Sequence, residues 1–558
     1  MKRGLILFAV VSVVLVYGVI YPNLSVVISS FQRDGSWTLA NYSDILSQRV
    51  VIKSIVSSLG LATGTVVLCA IVGVPLAFLF ERFTFPGRRL FAAFAALPLV
   101  LPPLVGTVAF IFLCGESGIL AHGIQNLLGL QNPPWRLRGW PALLLFHTYT
   151  MYPFFYVLTG AGLRRIDASL AEAARSLGAS SFTVVRRVLL PQLTPSLLAA
   201  ALLTFMTSMA SFSAPLLFGG GVRMLTLEIF SARQRGDFAM AITETVVLAV
   251  ISLAALIVFQ RYEGTRRFAA AAMKGAPRRR ASIGSGAARV LATSLAVFFA
   301  IVLVLPVATL FLVSFAQEGS WTTQTLPGTY TFANYKRLFS DAHSSEVFFN
   351  SFTMSAIAAV AALVWSFCIV TLLRRGGRTS SRFFGEGWRR LLSLLVLVPW
   401  ALPGTVVAVS VAEAYGRPSA LLGSFVLVGT FWILPVIYFL RFMPLVVRAL
   451  QASMEQVDPT LEEAAGSLGA RAWQRFLHVT LPLVWPGAVA GGLLAFVIAL
   501  GEYVASVLVF VPANRPISIA IASELRDFNL GAAAAYGVVL IVIISISMMV
   551  AGRLERLR

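Results

Sequence analysis

Twelve long apolar runs decide most of what this chain can become. They cover 4–28, 52–80, 90–113, 140–163, 195–218, 238–260, 290–315, 348–373, 391–412, 419–440, 485–510 and 531–552. Each is long enough to cross about 30 Å of hydrocarbon at about 1.5 Å per residue. Hydrocarbon offers no partner to a free N–H or C=O, so such runs must close their hydrogen bonds internally and become helices. The expected fold class is an all-α integral membrane protein of about twelve transmembrane helices, arranged as two parallel six-helix repeats. With 58% hydrophobic and 12% charged residues, the chain is too apolar for a soluble domain, whose charged share is about 25%. Met1, Lys2 and Arg3 precede a first run that is longer than a signal-peptide core and lacks a clear A-x-A site, so it reads as an uncleaved span.

The net charge of +21 raises the question of nucleic acid, and the location of the charges answers it. With the N-terminus inside, 31 of the 44 Lys and Arg residues fall in cytoplasmic segments and 13 outside. The positive-inside rule therefore accounts for the charge without a nucleic-acid partner. An even span count places both termini in the cytoplasm. Three domains follow: a first half over 1–260, a basic joint over 261–289 and a second half over 290–558. The joint reads as a solvated charge run, with contact to anionic lipid headgroups as the alternative. Cys69, Cys114 and Cys368 lie far apart and form no CxxC pair, so neither a disulfide framework nor a thiolate metal site is indicated.

One polar island occurs twice. DASLAEAARSLGASSFTVVRRVLLP at 167–191 returns as DPTLEEAAGSLGARAWQRFLHVTLP at 458–482, at an offset of 291 and with twelve of 25 positions identical. Ala40-Asn41-Tyr42 likewise recurs as Ala333-Asn334-Tyr335, and Pro98 and Pro102 as Pro399 and Pro403. A duplicated unit is the consequence, and because both copies begin on the same side the repeats are parallel. Asp167 and Asp458 stand where a side-chain oxygen caps a helix, with Pro459 at the first-turn position. Gly178 and Gly469 stand where a helix ends in a left-handed residue. Between them Leu170, Ala173, Ala174 and Leu177, and Leu461, Ala464, Ala465 and Leu468, make a slim face fit for a narrow groove. A second helical segment is expected to end before Pro191 or Pro482. A helix-turn-helix tethered at both ends to membrane spans is no DNA reader.

E-A-A with Gly six residues after the Glu, in a cytoplasmic loop followed by a span, resembles the signature of binding-protein-dependent ABC importer permeases, in a fused two-half form similar to the ferric-iron and thiamine branch. The resemblance implies that Glu172, Ala173, Ala174 and Gly178 in the loop 164–191, and Glu463, Ala464, Ala465 and Gly469 in the loop 455–482, dock on two copies of an ABC ATPase subunit. It also implies an extracytoplasmic substrate-binding protein and a bacterial inner-membrane location. No Walker sequence G-x-x-x-x-G-K-[ST] is present, so ATP and magnesium are expected on the partner and no catalytic residue or metal ligand on this chain. Phrases such as LPLVLPPLVGT, YPFFYVLTGAGLRRID and ALGEYVASVLVF resemble the ferric branch. Ferric iron ranks first as cargo, before thiamine, polyamine or aminoethylphosphonate.

Ionisable residues at membrane depth are the default pathway candidates. Glu502 and Tyr503 come first, followed by Glu244, Glu413 and His147. A carboxylate and a phenol suit a hard ferric cation and equally a protonated amine. An interhelical hydrogen bond or salt bridge explains Glu502 as well as a pathway role does. An ion-coupled secondary transporter, the rival of another class, predicts charges paired within the spans and no docking island.

Overall fold

The computed structural model describes residues 2–270, 281–283, 286–321, 324–378, 386–418 and 423–556. The first half contains α1 (Leu7–Ser30), α2 (Arg49–Arg82), α3 (Pro103–Cys114), α4 (Gly139–Arg165), α5 (Ala168–Ser176), α6 (Ser181–Met209), α7 (Leu225–Gln234) and α8 (Phe238–Ala270). The second half contains α9 (Gly286–Ser314), α10 (Ala342–Arg378), α11 (Glu386–Ala401), α12 (Gly404–Tyr415), α13 (Ile433–Glu455), α14 (Pro459–Ser467), α15 (Ala472–Leu500), α16 (Ile517–Arg526) and α17 (Leu530–Arg556). The protein is an all-α membrane protein. Among the described residues ten helices are long and apolar enough to cross a membrane, and α11 with α12 makes an eleventh if the bent pair is one span. The difference from twelve lies in α4, whose 27 residues suffice in length but carry His147, three tyrosines and three threonines. The joint expected from residue 261 begins later, because α8 runs unbroken to Ala270. Residues 271–280 and 284–285 of that joint lie outside the described residues.

Prolines shape the helices in two ways. The runs 90–113 and 391–412, counted as one span each, are broken at the prolines they carry. Pro98 lies in a 3-10 turn over Leu97–Val100, Pro102 precedes α3, and α11 meets α12 at a bend of 107° around Leu402 and Pro403. Proline withholds an N–H and drives its predecessor out of the helical region, so the break follows directly. Elsewhere a helix survives its proline by widening one turn. Val16–Ile20, Val185–Leu189 and Phe476–Thr480 are π-helical, and each ends two residues before a proline, at Pro22, Pro191 and Pro482. The i to i+5 turn gives the ring room without ending the helix. The expectation of a separate segment ending before Pro191 or Pro482 is thereby corrected: the island's second helix is the opening of α6 or α15 itself.

Two compact units emerge, and they exchange their first spans. One contains residues 1–41, 238–246 and 332–558; the other contains 42–237 and 247–331. In the former, α1 packs on α12: Tyr415 donates to the Tyr17 carbonyl at 2.5 Å and Ser29 donates to Glu413 Oε1 at 2.8 Å. In the latter, α9 packs on α3 and receives a bond from α4, with Tyr149 donating to the Leu303 carbonyl at 2.9 Å. Asn41, from the repeated Ala-Asn-Tyr triplet, is buried and donates to the carbonyls of Ser30 and Gln32, closing the open C-terminal end of α1. Helices approach closely where side chains are small. A Cβ at Gly491 on α15 would come within 2.7 Å of the Ala449 Cβ on α13, the kind of packing that drives association in lipid.

Each half also ends its penultimate helix in the same turn. After α7, Gly236 at φ +80° donates to Arg233 and Asp237 donates to Ala232. After α16, Phe528 at φ +60° donates to Leu525 and Asn529 donates to Glu524. Both are Schellman closures, whose left-handed residue is glycine by preference and costs a side-chain-bearing residue roughly 1–2 kcal/mol.

Candidate functional site

The duplicated island takes the same form in each unit. Asp167 Oδ1 accepts from Ser169 N at 2.9 Å to start α5, and Asp458 Oδ1 accepts from Thr460 N at 2.9 Å to start α14. The bonds from Thr460 hold the Asp458 carboxyl below its ordinary range. The C-terminal closures match bond for bond. Gly178 N reaches the Arg175 carbonyl at 2.8 Å and Ala179 N reaches Ala174 at 3.0 Å; Gly469 N reaches Gly466 and Ala470 N reaches Ala465, both at 3.0 Å. Gly178 at φ +83° and Gly469 at φ +85° supply the left-handed residue.

This closure turns one large apolar side chain out to water in each copy. Leu177 and Leu468 are both 88% exposed, and Phe182 and Trp473 stand exposed five residues further on. Glu172, Ala173 and Gly178, and Glu463, Ala464 and Gly469, are exposed as well. Ala174 and Ala465 are only half-buried positions; Ala174 leans on the small apolar cluster of Ala171, Val184 and Leu189. The slim face inferred from spacing is thus split: Ala173 and Leu177 look outward, while Ala174 holds its helix to the unit. The second island replaces Ala171 by Glu462, which accepts from Thr480 Oγ1 at 2.8 Å. In both copies the helix after the turn is continuous with a span, so the island is rigidly connected to it.

The pathway candidates occupy different surroundings. Glu502, expected inside a span, lies in the turn just past the end of α15. Its Oε1 is 2.7 Å from Arg441 Nη1 and accepts from Ala505 N at 2.9 Å, while its carbonyl accepts from Ser506 and Ser518, each at 2.8 Å. Tyr438 shares a 2.7 Å hydrogen bond with the Ser506 hydroxyl. The 291-residue offset carries Tyr438 onto His147 and Glu502 onto Ser211, and the other unit joins those two: His147 Nε2 is 2.9 Å from Ser211 Oγ, with Nδ1 3.0 Å from Ser208 Oγ. The repeat position held by Glu502 in an ion pair is thus held by Ser211 in a histidine–serine network in the other half. Tyr503 and Glu244 are buried, and Glu413 is half-buried with its bond to Ser29. Among the described residues no three His, Cys, Asp or Glu side chains converge as metal ligands, so Glu244, Glu413 and Glu502 do not form a single cage.

Arg441 is a residue of this site that the list of candidates lacks: it pairs with Glu502 and has a side chain 19% exposed. Its distance from the island was the available signal: it precedes Asp458 by 17 residues, or about 25 Å of helix. Its guanidinium also fills the space over Gly404, the first residue of α12 after the break, where a Cβ would collide with Nη1. Gly404→Ala is therefore expected to destabilise the protein by about 1–3 kcal/mol, read as a lower midpoint of thermal unfolding; an unchanged midpoint would show that Arg441 has room to retreat.

A membrane bundle built twice over, with a rigid exposed island in each copy, is a transport permease. The model of the family described as "Binding-protein-dependent transport system inner membrane component" matches residues 70–264 and 375–558, and the chain belongs to that family, the permeases of ABC importers. A probable ABC transporter permease of Sinorhizobium fredii is 31% identical over 90% of this chain and 87% of its own. The ferric transport system permease FbpB of Actinobacillus pleuropneumoniae is 25% identical over 96% of this chain and 76% of its own. A spermidine/putrescine transport system permease of Haemophilus influenzae, PotB, is 28% identical over 45% of this chain and 90% of its own.

Proposed function

We propose that this permease imports ferric iron, delivered by an extracytoplasmic binding protein and driven by ATP and magnesium on two ABC ATPase subunits that dock on α5 and α14. The observation that carries the docking is the repeated outward leucine, Leu177 and Leu468, each beside a left-handed glycine and an exposed alanine. An apolar side chain held out on a rigid turn contributes nothing to its own fold and suits a pocket on a partner. Because the turn is continuous with α6 or α15, movement of the partner is transmitted into the membrane, the basis of alternating access. Both islands and both termini face the cytoplasm in this arrangement, which the bias of Lys and Arg supports.

Iron is favoured because the ferric permease FbpB aligns with both halves, over 96% of this chain. Cells expressing the gene are expected to accumulate labelled ferric iron in an energy-dependent manner, and cells lacking it to lose that uptake. Labelled thiamine, putrescine and aminoethylphosphonate serve as the competing arms. Uptake of one of these in place of iron would overturn the cargo and leave the importer intact.

A further inference from the structure

The turn between α16 and α17 carries a phenylalanine where its counterpart in the first half carries glycine. Phe528 at φ +60° and Gly236 at φ +80° close the same hydrogen-bonded turn. Among the described residues the other non-glycine with positive φ is Asp34, a residue type that tolerates this region and sits before Gly35 in a tight hairpin. Phe528 has no such excuse, and its ring is 83% exposed. The fold therefore accepts backbone strain to display an aromatic side chain that buries nothing. Its surroundings are polar. Arg526 and Asp527 precede it in sequence, and Glu524, at the end of the same helix, accepts from Asn529 at 2.8 Å and pairs with Arg337 at 3.6 Å.

An exposed aromatic on a turn with Arg526 and Asp527 just before it in the chain has the anatomy of an interface anchor with a polar rim. The bilayer suits it poorly, because Arg526 and Asp527 would be drawn into the apolar layer with the ring. The α15 helix separates residues 501–529 from the island at 458–482, so the turn lies on the face away from the ATPase. We propose that Phe528 is an anchor for the extracytoplasmic binding protein, its ring entering an apolar pocket of that protein. The proposal rests on the reading of this chain as a binding-protein-fed importer. Since one half displays the ring and the other a glycine, the binding protein has one preferred orientation on this permease.

The test uses the intact permease–ATPase complex in lipid nanodiscs, stimulated by the binding protein encoded beside the permease gene and loaded with ferric iron. Phe528→Gly is expected to leave basal ATPase activity and folding intact, since glycine relieves the strain, and to raise the half-stimulating concentration of binding protein about tenfold. Phe528→Leu should fall between the two. A half-stimulating concentration within about twofold of wild type would overturn the proposal. So would a Phe528→Trp variant whose added emission is quenched by brominated lipid, which would place the ring in the bilayer. Failure of the wild-type complex to respond to the binding protein, whether loaded with ferric iron, thiamine, putrescine or aminoethylphosphonate, would instead bring down the importer reading and this proposal with it.

Discussion

Arg441→Met is expected to destabilise the protein by roughly 3–5 kcal/mol, the usual consequence of removing one member of a buried ion pair. Glu502 is 6% exposed in its side chain and Arg441 is 19% exposed, so the carboxylate left behind would have neither water nor a counter-ion. It would distort the turn that follows α15. Changing both partners together removes the uncompensated charge. Glutamine at 502 retains an oxygen to accept from Ala505 N, and methionine at 441 retains apolar bulk over Gly404. The double variant Arg441→Met, Glu502→Gln is therefore expected to recover most of the loss, within about 1–2 kcal/mol of wild type. The measurement is the thermal unfolding midpoint of the purified permease for the two single variants and the double. A double variant as unstable as Arg441→Met would mean that the guanidinium is needed for its own sake at the broken end of α12, independently of Glu502.

The pair also shows where sequence reading reaches and where it stops. The caps and closures of the islands were legible because a capping aspartate and a left-handed glycine act locally, and both kept their roles in both copies; the alanine stripe was not, because packing on Ala171, Val184 and Leu189 splits it. Helix breaks at Pro98, Pro102 and Pro403 were legible for the same reason. Pro191 and Pro482 misled, because a proline reads as a stop and nothing in the residues before it announces the π turn that lets the helix continue. The exchange of first spans was hidden more deeply. The pattern of α1 or α9 says that it is apolar, not which half it will cover, since that is decided by shape at contacts such as Tyr415 with Tyr17 and Tyr149 with Leu303. Arg441 fell between the two cases. Its type suggested the cytoplasm, its helical distance from Asp458 pointed to membrane depth, and only the partner at Glu502 made the second reading tenable.

Gly178→Asp combined with Gly469→Asp is expected to reduce transport at least tenfold while the permease still inserts and folds. The separation of the two effects follows from the geometry. A Cβ at either glycine meets nothing within 4 Å of the permease itself, and aspartate is among the side chains that best tolerate a positive φ. The internal cost is therefore confined to roughly 1–2 kcal/mol of backbone strain at each exposed turn. Outside the permease the consequence is larger. Leu177 and Leu468 project beside these glycines, and a charge placed there must be desolvated whenever the leucine enters a pocket on the ATPase. Loss of about 2 kcal/mol at each of two docking points would weaken association roughly 30-fold apiece. Co-purification of the ATPase with the tagged double variant, uptake of labelled ferric iron and the unfolding midpoint together decide the matter. A lowered midpoint with the ATPase still bound would locate the defect inside the permease, and normal uptake with normal co-purification would show that these turns are not where the ATPase takes hold.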